Sequence, residues 1–209
     1  MGQYGALFAV IDFSGVDEGE FSEWYDTEHI PERIATPGFL TATRWVAADG
    51  RKLSLGLYDL EDVAVLKGEA YRSIAGPNLS PWSKRLLRQA TSSARYEAVQ
   101  LLPGDRLGTD ETEFVYLIRH NIDEAVEDDY HRWYDEEHLP GLASVPGVHL
   151  ARRFRAENDA KHRYLATYHL ESAEIPQTPE WRKVADTTWS DRVRQHMSDR
   201  DYVMFKRPA

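Results

Sequence analysis

Residues 23–31, EWYDTEHIP, return as residues 132–140, RWYDEEHLP. Trp24, Tyr25, Asp26, Glu28, His29, Pro31, Pro37, Gly38 and Arg44 match Trp133, Tyr134, Asp135, Glu137, His138, Pro140, Pro146, Gly147 and Arg153, every pair 109 residues apart. Between 24–47 and 133–156, 11 of 24 positions are identical, too many at one offset for chance. The chain therefore reads as one fold unit written twice, each copy carrying an acid and a histidine at a fixed place. The expected units are residues 1–103 and 110–209, joined at 104–109, where Pro103, Gly104, Asp105 and Gly108 supply turn formers.

Working outward from the motif, each unit reads β-α-β-β-α-β. In the first, strand 4–12 leads to a helix over about 19–33, Pro37-Gly38 opens strand 39–47, and Asp49-Gly50 signals a hairpin into strand 53–59. A helical region broken at Gly76-Pro77 and restarted at Pro81 precedes strand 94–102. The second unit repeats this with strands 112–120, 148–155, 163–170 and 202–206, the motif helix at 123–141, and helices from Ala173 and Thr188. Trp82 recurs as Trp189, Tyr58 as Tyr168 and Tyr96 as Tyr202. An antiparallel four-stranded sheet with helices on one face leaves the other face bare. Two tandem copies can cover both bare faces by packing sheet against sheet, an α+β pseudo-twofold barrel within one chain.

Trp-Tyr-Asp-x-Glu-His-[Ile/Leu]-Pro, then Pro-Gly and an arginine on the next strand, resembles the EthD-like branch of the dimeric α/β-barrel superfamily. The resemblance implies two ferredoxin-like repeats. It also places the chain beside antibiotic-biosynthesis monooxygenases, stress-responsive barrel proteins, polyketide cyclases and haem-using chlorite dismutase relatives. Some members of the branch are linked to decarboxylation or dehydration of polyketide-like aromatics.

A formal net charge of -10 argues against nucleic acid or anionic membrane as partner. The absence of cysteine removes disulfides, thiolate nucleophiles and cysteine-ligated metals, and makes a reducing cytoplasm the expected compartment. No apolar run approaches the roughly 20 residues of a membrane span, and no secretory signal is expected at the N-terminus. There is no Walker A, GxGxxG or GxSxG motif, which removes P-loop, dinucleotide and serine-hydrolase readings.

At about 100° per residue, Phe21, Trp24, Tyr25 and Glu28 share one helix face with His29 at its edge, and Tyr130, Trp133, Tyr134 and Glu137 repeat this with His138. A carboxylate on an apolar face is either paired or protonated. In the structural reading, each glutamate pairs with arginine or backbone N–H groups while the histidine caps the helix.

The functional reading expects cofactor-independent acid/base chemistry (decarboxylation, dehydration, cyclisation or isomerisation) on an aromatic or polyketide-like substrate held between sheet and helices. His138 and His29 move the proton, Glu137 and Glu28 tune them, and Arg153 and Arg44 bind an anion through paired hydrogen bonds. Tyr134, Tyr25 or Tyr168 donates to a carbonyl, with His169, His149 and Trp189 completing the pocket. Seven of the eight histidines lie beyond residue 110, and His120, His149 and His169 stand where the first unit has Ile11, Leu40 and Asp59, so the second unit is the expected active one. His131, Asp135 and His138 share a helix flank, but no metal is expected there. No cofactor is expected, with haem on a pocket histidine as the superfamily alternative. The rivals are an oxygen-using enzyme, cofactor-free or haem-dependent, and a non-catalytic binding or assembly module. A homodimer through the outer helices or an unpaired barrel edge is the other expected partner.

Overall fold

The computed structural model describes residues 3–109 and 111–208, so the unit ends expected at 1, 110 and 209 lie outside the described residues. The first half runs β1 (Gly5–Asp12), α1 (Glu18–Trp24), α2 (Ile30–Ile34), β2 (Thr43–Ala47), β3 (Leu53–Leu60), α3 (Glu69–Arg72), α4 (Pro81–Gln89) and β4 (Ser92–Leu102). The second runs β5 (Phe114–Ile122), α5 (Glu127–Trp133), α6 (Leu139–Ala143), β6 (Val148–Ala156), β7 (Tyr164–Leu170), α7 (Pro179–Ala185), α8 (Thr188–Arg194) and β8 (Met197–Lys206). Asp49-Gly50 makes the expected hairpin, with Gly50 at φ 85° and the Asp49 carboxylate accepting from the Arg51 N–H at 3.1 Å.

All strand pairings are antiparallel. The sheet order is β4-β1-β3-β2 in the first half and β8-β5-β7-β6 in the second. The edges then join, β4 to β6 and β2 to β8, closing an eight-stranded barrel. This closure removes the free barrel edge that the sequence offered for dimerisation. Phe8, Trp45, Leu57, Phe154, Leu165 and Phe205 point inward and fill the barrel, with Phe8 and Phe154 meeting edge to face at 5.0 Å. Alternate residues point outward beneath the helices, where Phe21, Trp24 and Leu86 pack in one half and Tyr130, Trp133 and Leu142 in the other. No helix among the described residues is long and apolar enough to cross a membrane.

Strand register corrects one equivalence. Ala9 pairs with Arg95 and Ile118 with Tyr202, so Tyr202 corresponds to Arg95, and Tyr96 to Val203. A slip of one residue exchanges the sheet faces, which is why Tyr96 is buried in the barrel while Tyr202 is 45% exposed.

Each motif helix contains a wide turn. Between α1 and α2, residues Tyr25–His29 are π-helical, the Ile30 N–H reaching back five residues to the Tyr25 carbonyl. Tyr134–His138 does the same, with the Leu139 N–H bonded to the Tyr134 carbonyl. Pro31 and Pro140 lack the N–H of a regular i→i−4 ladder, and their rings crowd the carbonyl four residues back. Widening the preceding turn relieves that clash and lets the helix continue past the proline.

Candidate functional site

The π-turn decides which side chain faces inward. A turn with i→i+5 bonds advances roughly 80° per residue instead of about 100°, so residues late in the turn lag behind the ordinary wheel. His29 and His138 are thereby carried from the edge of the apolar stripe to its centre, and Glu28 and Glu137 from the centre to the edge. His29 is 9% exposed and His138 5%, whereas both glutamates are only half-buried.

Each imidazole lies against the tryptophan five residues before it: His29 on Trp24 at 4.4 Å between ring centroids, His138 on Trp133 at 4.0 Å. Tyr25 and Tyr134 meet the rings edge-on, both at 5.2 Å. Burial pushes each histidine down to about 3, helped by Arg33 at His29 and by Arg194 at His138, so both are neutral throughout the physiological range. Neither ring makes a hydrogen bond among the described residues, and each Nδ1 is completely enclosed, which leaves Nε2 as the nitrogen open to a ligand.

The glutamates brace helices. Glu28 accepts from Ser80 Oγ at 2.6 Å, Ser83 Oγ at 3.0 Å and Trp24 Nε1 at 3.2 Å, while the Ser80 hydroxyl also caps α4 by accepting from the Ser83 N–H. In the second half, Thr187 caps α8 and donates to Glu137 at 2.5 Å, and Trp133 Nε1 donates to Ser190 Oγ at 3.1 Å. Hydroxyls, and not the arginines or backbone of the sequence reading, hold these carboxylates at helix N-termini, where the dipole favours negative charge.

Both expected anion-binding arginines lie under the motif helices with their planes covered. The Arg44 guanidinium stands over Phe21 at 5.3 Å and Tyr25 at 5.0 Å and donates to Ser22 Oγ. Arg153 stands over Tyr134 at 4.4 Å and Tyr130 at 4.5 Å, and donates to His131 Nδ1 and to Asp135. Arg153 thus holds His131 and Asp135 while His138 turns inward, so these three residues do not converge on one point. Among the described residues no group of three His, Cys, Asp or Glu could hold a metal ion.

The remaining expected residues scatter. His169 lies inside the barrel at one end, its Nε2 3.4 Å from Arg152, whose guanidinium makes a fully buried 2.6 Å ion pair with Asp59. His120 sits beneath the motif helix bonded to the Tyr130 hydroxyl at 2.7 Å, and His149 is exposed. Trp189 lies in an outer groove with Glu137, its Nε1 bonded to Asp129. Tyr168 is covered by Trp181 at 5.1 Å.

Two cavities between sheet and helices receive the histidines. One, of about 170 Å³, lies in the first half and is walled by Leu7, Ala9, Trp24, His29, Tyr58 and Leu87. The other, of about 220 Å³, is walled by Tyr116, Ile118, His138, Leu142, Trp181 and Tyr202. Trp181 occupies the position of Tyr71, and Tyr116 that of Leu7, so bulkier aromatics line the second. Arg33, 3% exposed, lies in the wall of the first cavity, where the second has Leu142. Sequence reasoning missed Arg33; the signal was its unmatched place within the repeat.

Haem needs an orientable axial ligand and room for a macrocycle. Cavities of about 170 and 220 Å³ fall below the range of roughly 300–1,000 Å³ usual for such groups. Neither enclosed Nδ1 has the carbonyl or carboxylate that orients a ligating imidazole. The residues around His29 and His138 do not fit haem.

Comparison with solved structures places this architecture. An anthrone oxidase-like protein matches at 13% identity over 99% of this chain and 92% of its own, with a TM-score of 0.71. A candidate monooxygenase from Lactobacillus acidophilus NCFM matches at 12% identity, 97% and 93% coverage and a TM-score of 0.65. A mutant chlorite dismutase from Candidatus Nitrospira defluvii in complex with cyanide matches at 12% identity, 99% and 90% coverage and 0.63. The chain has the dimeric α/β-barrel fold. A family model described as a domain of unknown function (DUF4286) matches residues 113–205. No curated protein matches the chain.

Proposed function

We propose that this protein is an enzyme that deprotonates a small aromatic substrate in the first-half cavity without a cofactor and delivers the anion to molecular oxygen. The observation that carries the reading is His29: a neutral imidazole held against Trp24, the ring planes tilted by 37°, by a π-turn, with Nε2 open to an apolar chamber. Wide turns of this kind cluster at functional sites. His29 is unprotonated at neutral pH, so its lone pair is free to take a proton, although burial makes it a weak base. Protonated His29 is poorly tolerated there, so transfer succeeds only where the substrate anion remains beside it as partner. For a benzylic methylene, the C–H proton passes to His29 and the carbanion electrons pass to O₂. The sum is CH₂ plus O₂ giving C=O plus H₂O.

The names of similar structures, a candidate monooxygenase and an anthrone oxidase-like protein, support the oxygen branch. The lyase, cyclase or isomerase reading stands second. Dehydration and cyclisation want a proton donor, and no Asp or Glu is among the residues lining this cavity, while Glu28 accepts from hydroxyls elsewhere. In this proposal the repeat forms an EthD-like intramolecular pseudo-dimer with units at 1–103 and 110–209. The first-half site is active, against the second-half site expected from the histidine count, and Glu28 and Glu137 are architectural.

The test follows proton exchange into D₂O under nitrogen for a panel of small aryl ketones and phenols, then oxygen uptake in air. Wild-type protein exchanges the acidic position, and His29→Ala slows exchange by about 10²–10⁴-fold with melting temperature nearly unchanged. Exchange that is equally fast in the variant would remove His29 from the chemistry. Binding without exchange across the panel would make the chamber a binding site only.

A further inference from the structure

Arg33 is a buried cation with most of its hydrogen-bonding capacity unused. Its Nη1 donates to the half-buried Glu32 at 2.8 Å, and among the described residues this is the one hydrogen bond its side chain makes. Nε and Nη2, two adjacent donors of the guanidinium fork, have no partner among the described residues, yet neither is sealed away from open space. They belong to a residue in the cavity wall. The guanidinium also stands 5.5 Å from the centre of the Tyr71 ring, and that of Arg95, at the cavity mouth, 5.6 Å from the same ring. Arg95 is paired with Glu97 at 3.0 Å, so Arg33 is the cation with donors to spare at this apolar chamber. The second cavity has Leu142 in place of Arg33, and its own arginine, Arg194, is occupied by Asp186 and the Ala185 carbonyl.

We propose that the first-half cavity selects a single-ring aromatic acid, its carboxylate held by Arg33 and its ring laid between Trp24 and the sheet. An anion is favoured because Nε–H and Nη2–H present the parallel pair of donors that matches a carboxylate edge. Size limits the ring system: a dry cavity of around 150 Å³ takes a benzene-sized guest, and this one is about 170 Å³. Tricyclic ring systems exceed it. The proposal rests on the reading of this cavity as the active site but concerns what binds, so binding alone tests it.

Titration calorimetry on the intact chain compares benzoate, its neutral analogue benzyl alcohol and anthracene-9-carboxylate. Wild-type protein binds benzoate at least 10-fold more tightly than benzyl alcohol and shows no heat with the three-ring acid. Arg33→Leu, which copies Leu142, weakens benzoate by 10-fold or more and leaves benzyl alcohol within twofold. Arg33→Lys recovers part of the loss. Ala9→Ile, copying Ile118, weakens both one-ring ligands and so places them in this cavity. Equal affinity for acid and alcohol in wild type overturns the proposal even if Arg33→Leu fails to fold, as does loss of both ligands to the same extent in Arg33→Leu. Benzoate bound as expected, with no exchange or oxygen uptake on any substrate, would sink the catalytic reading and leave this one standing.

Discussion

The two halves build the same wall and different rooms. Each has a π-turn, a histidine on a tryptophan, a tyrosine edge-on to it, and a half-buried glutamate receiving a helix-capping hydroxyl. What differs is the rest of the lining. Leu7, Arg33 and Tyr71 in the first half stand where the second has Tyr116, Leu142 and Trp181. Of the repeated part, His29 enters the proposed chemistry and the glutamates brace helices, while the unrepeated part sets what each cavity admits. Repetition of a polar motif is therefore first a guide to architecture, and its broken positions tell the two cavities apart.

The widest contrast should come from acid. Burial depresses His29, His120 and His138 to about 3 and His169 well below its usual value. The unfolded chain, with ordinary histidines near 6.5, binds more protons below that pH than the folded one does. Stability is therefore complete above about pH 6.5 and falls as pH drops toward 3, by up to about 1.4 kcal/mol per pH unit for each such histidine. Three of these four lie in the second half, so hydrogen exchange at pH 5 should show that half opening first. Uniform acid opening would erase the asymmetry.

Next in size is the catalytic contrast. His29→Ala should lose turnover by about 10²–10⁴-fold, and His138→Ala less than twofold, in paired exchange assays. Equal losses would make both cavities active. Tyr71→Trp, which copies Trp181, should narrow the first cavity and weaken ligand binding by 10-fold or more, at a stability cost of about 1–3 kcal/mol in urea titrations. Unchanged affinity would show that Tyr71 does not wall the bound ligand. The smallest effect belongs to the shared wall: Glu28→Gln and Glu137→Gln should each cost about 1–2 kcal/mol through weakened bonds from capping hydroxyls, with activity per folded molecule retained. A large activity loss in Glu28→Gln would return the carboxylate to the chemistry.

Much of the fold was legible because its signals are local. Alternation marked the strands, Asp49-Gly50 the hairpin, and the offset of 109 the equivalent elements. The site was legible to the level of its motif and misread one level down. A regular wheel put Glu28 inside and His29 at the edge, and the π-turn exchanged them. Pro31 and Pro140 carried that information: the expected helices run through both prolines, but as regular helices without the widened turn that precedes each. Arg44 and Arg153 were placed correctly on the strand after the motif, but the rings that cover them come from α1 and α5. The histidines that the count groups in the second half have different surroundings: His138 lines a cavity, His169 lies in the barrel and His149 is exposed.

The sequence by itself determined the element order and the recurrence of the Trp-Tyr-Glu-His motif, since these depend on neighbours within one or two turns. Tertiary structure alone decided how far each histidine is dehydrated, which arginine lines a cavity, and which side chains wall each chamber. Those properties depend on residues brought together from far along the chain: Ser80 to Glu28, Tyr71 to Arg33, Trp181 to Tyr168. Desolvation and cavity volume are sums over everything that surrounds a group, and no local pattern contains that sum.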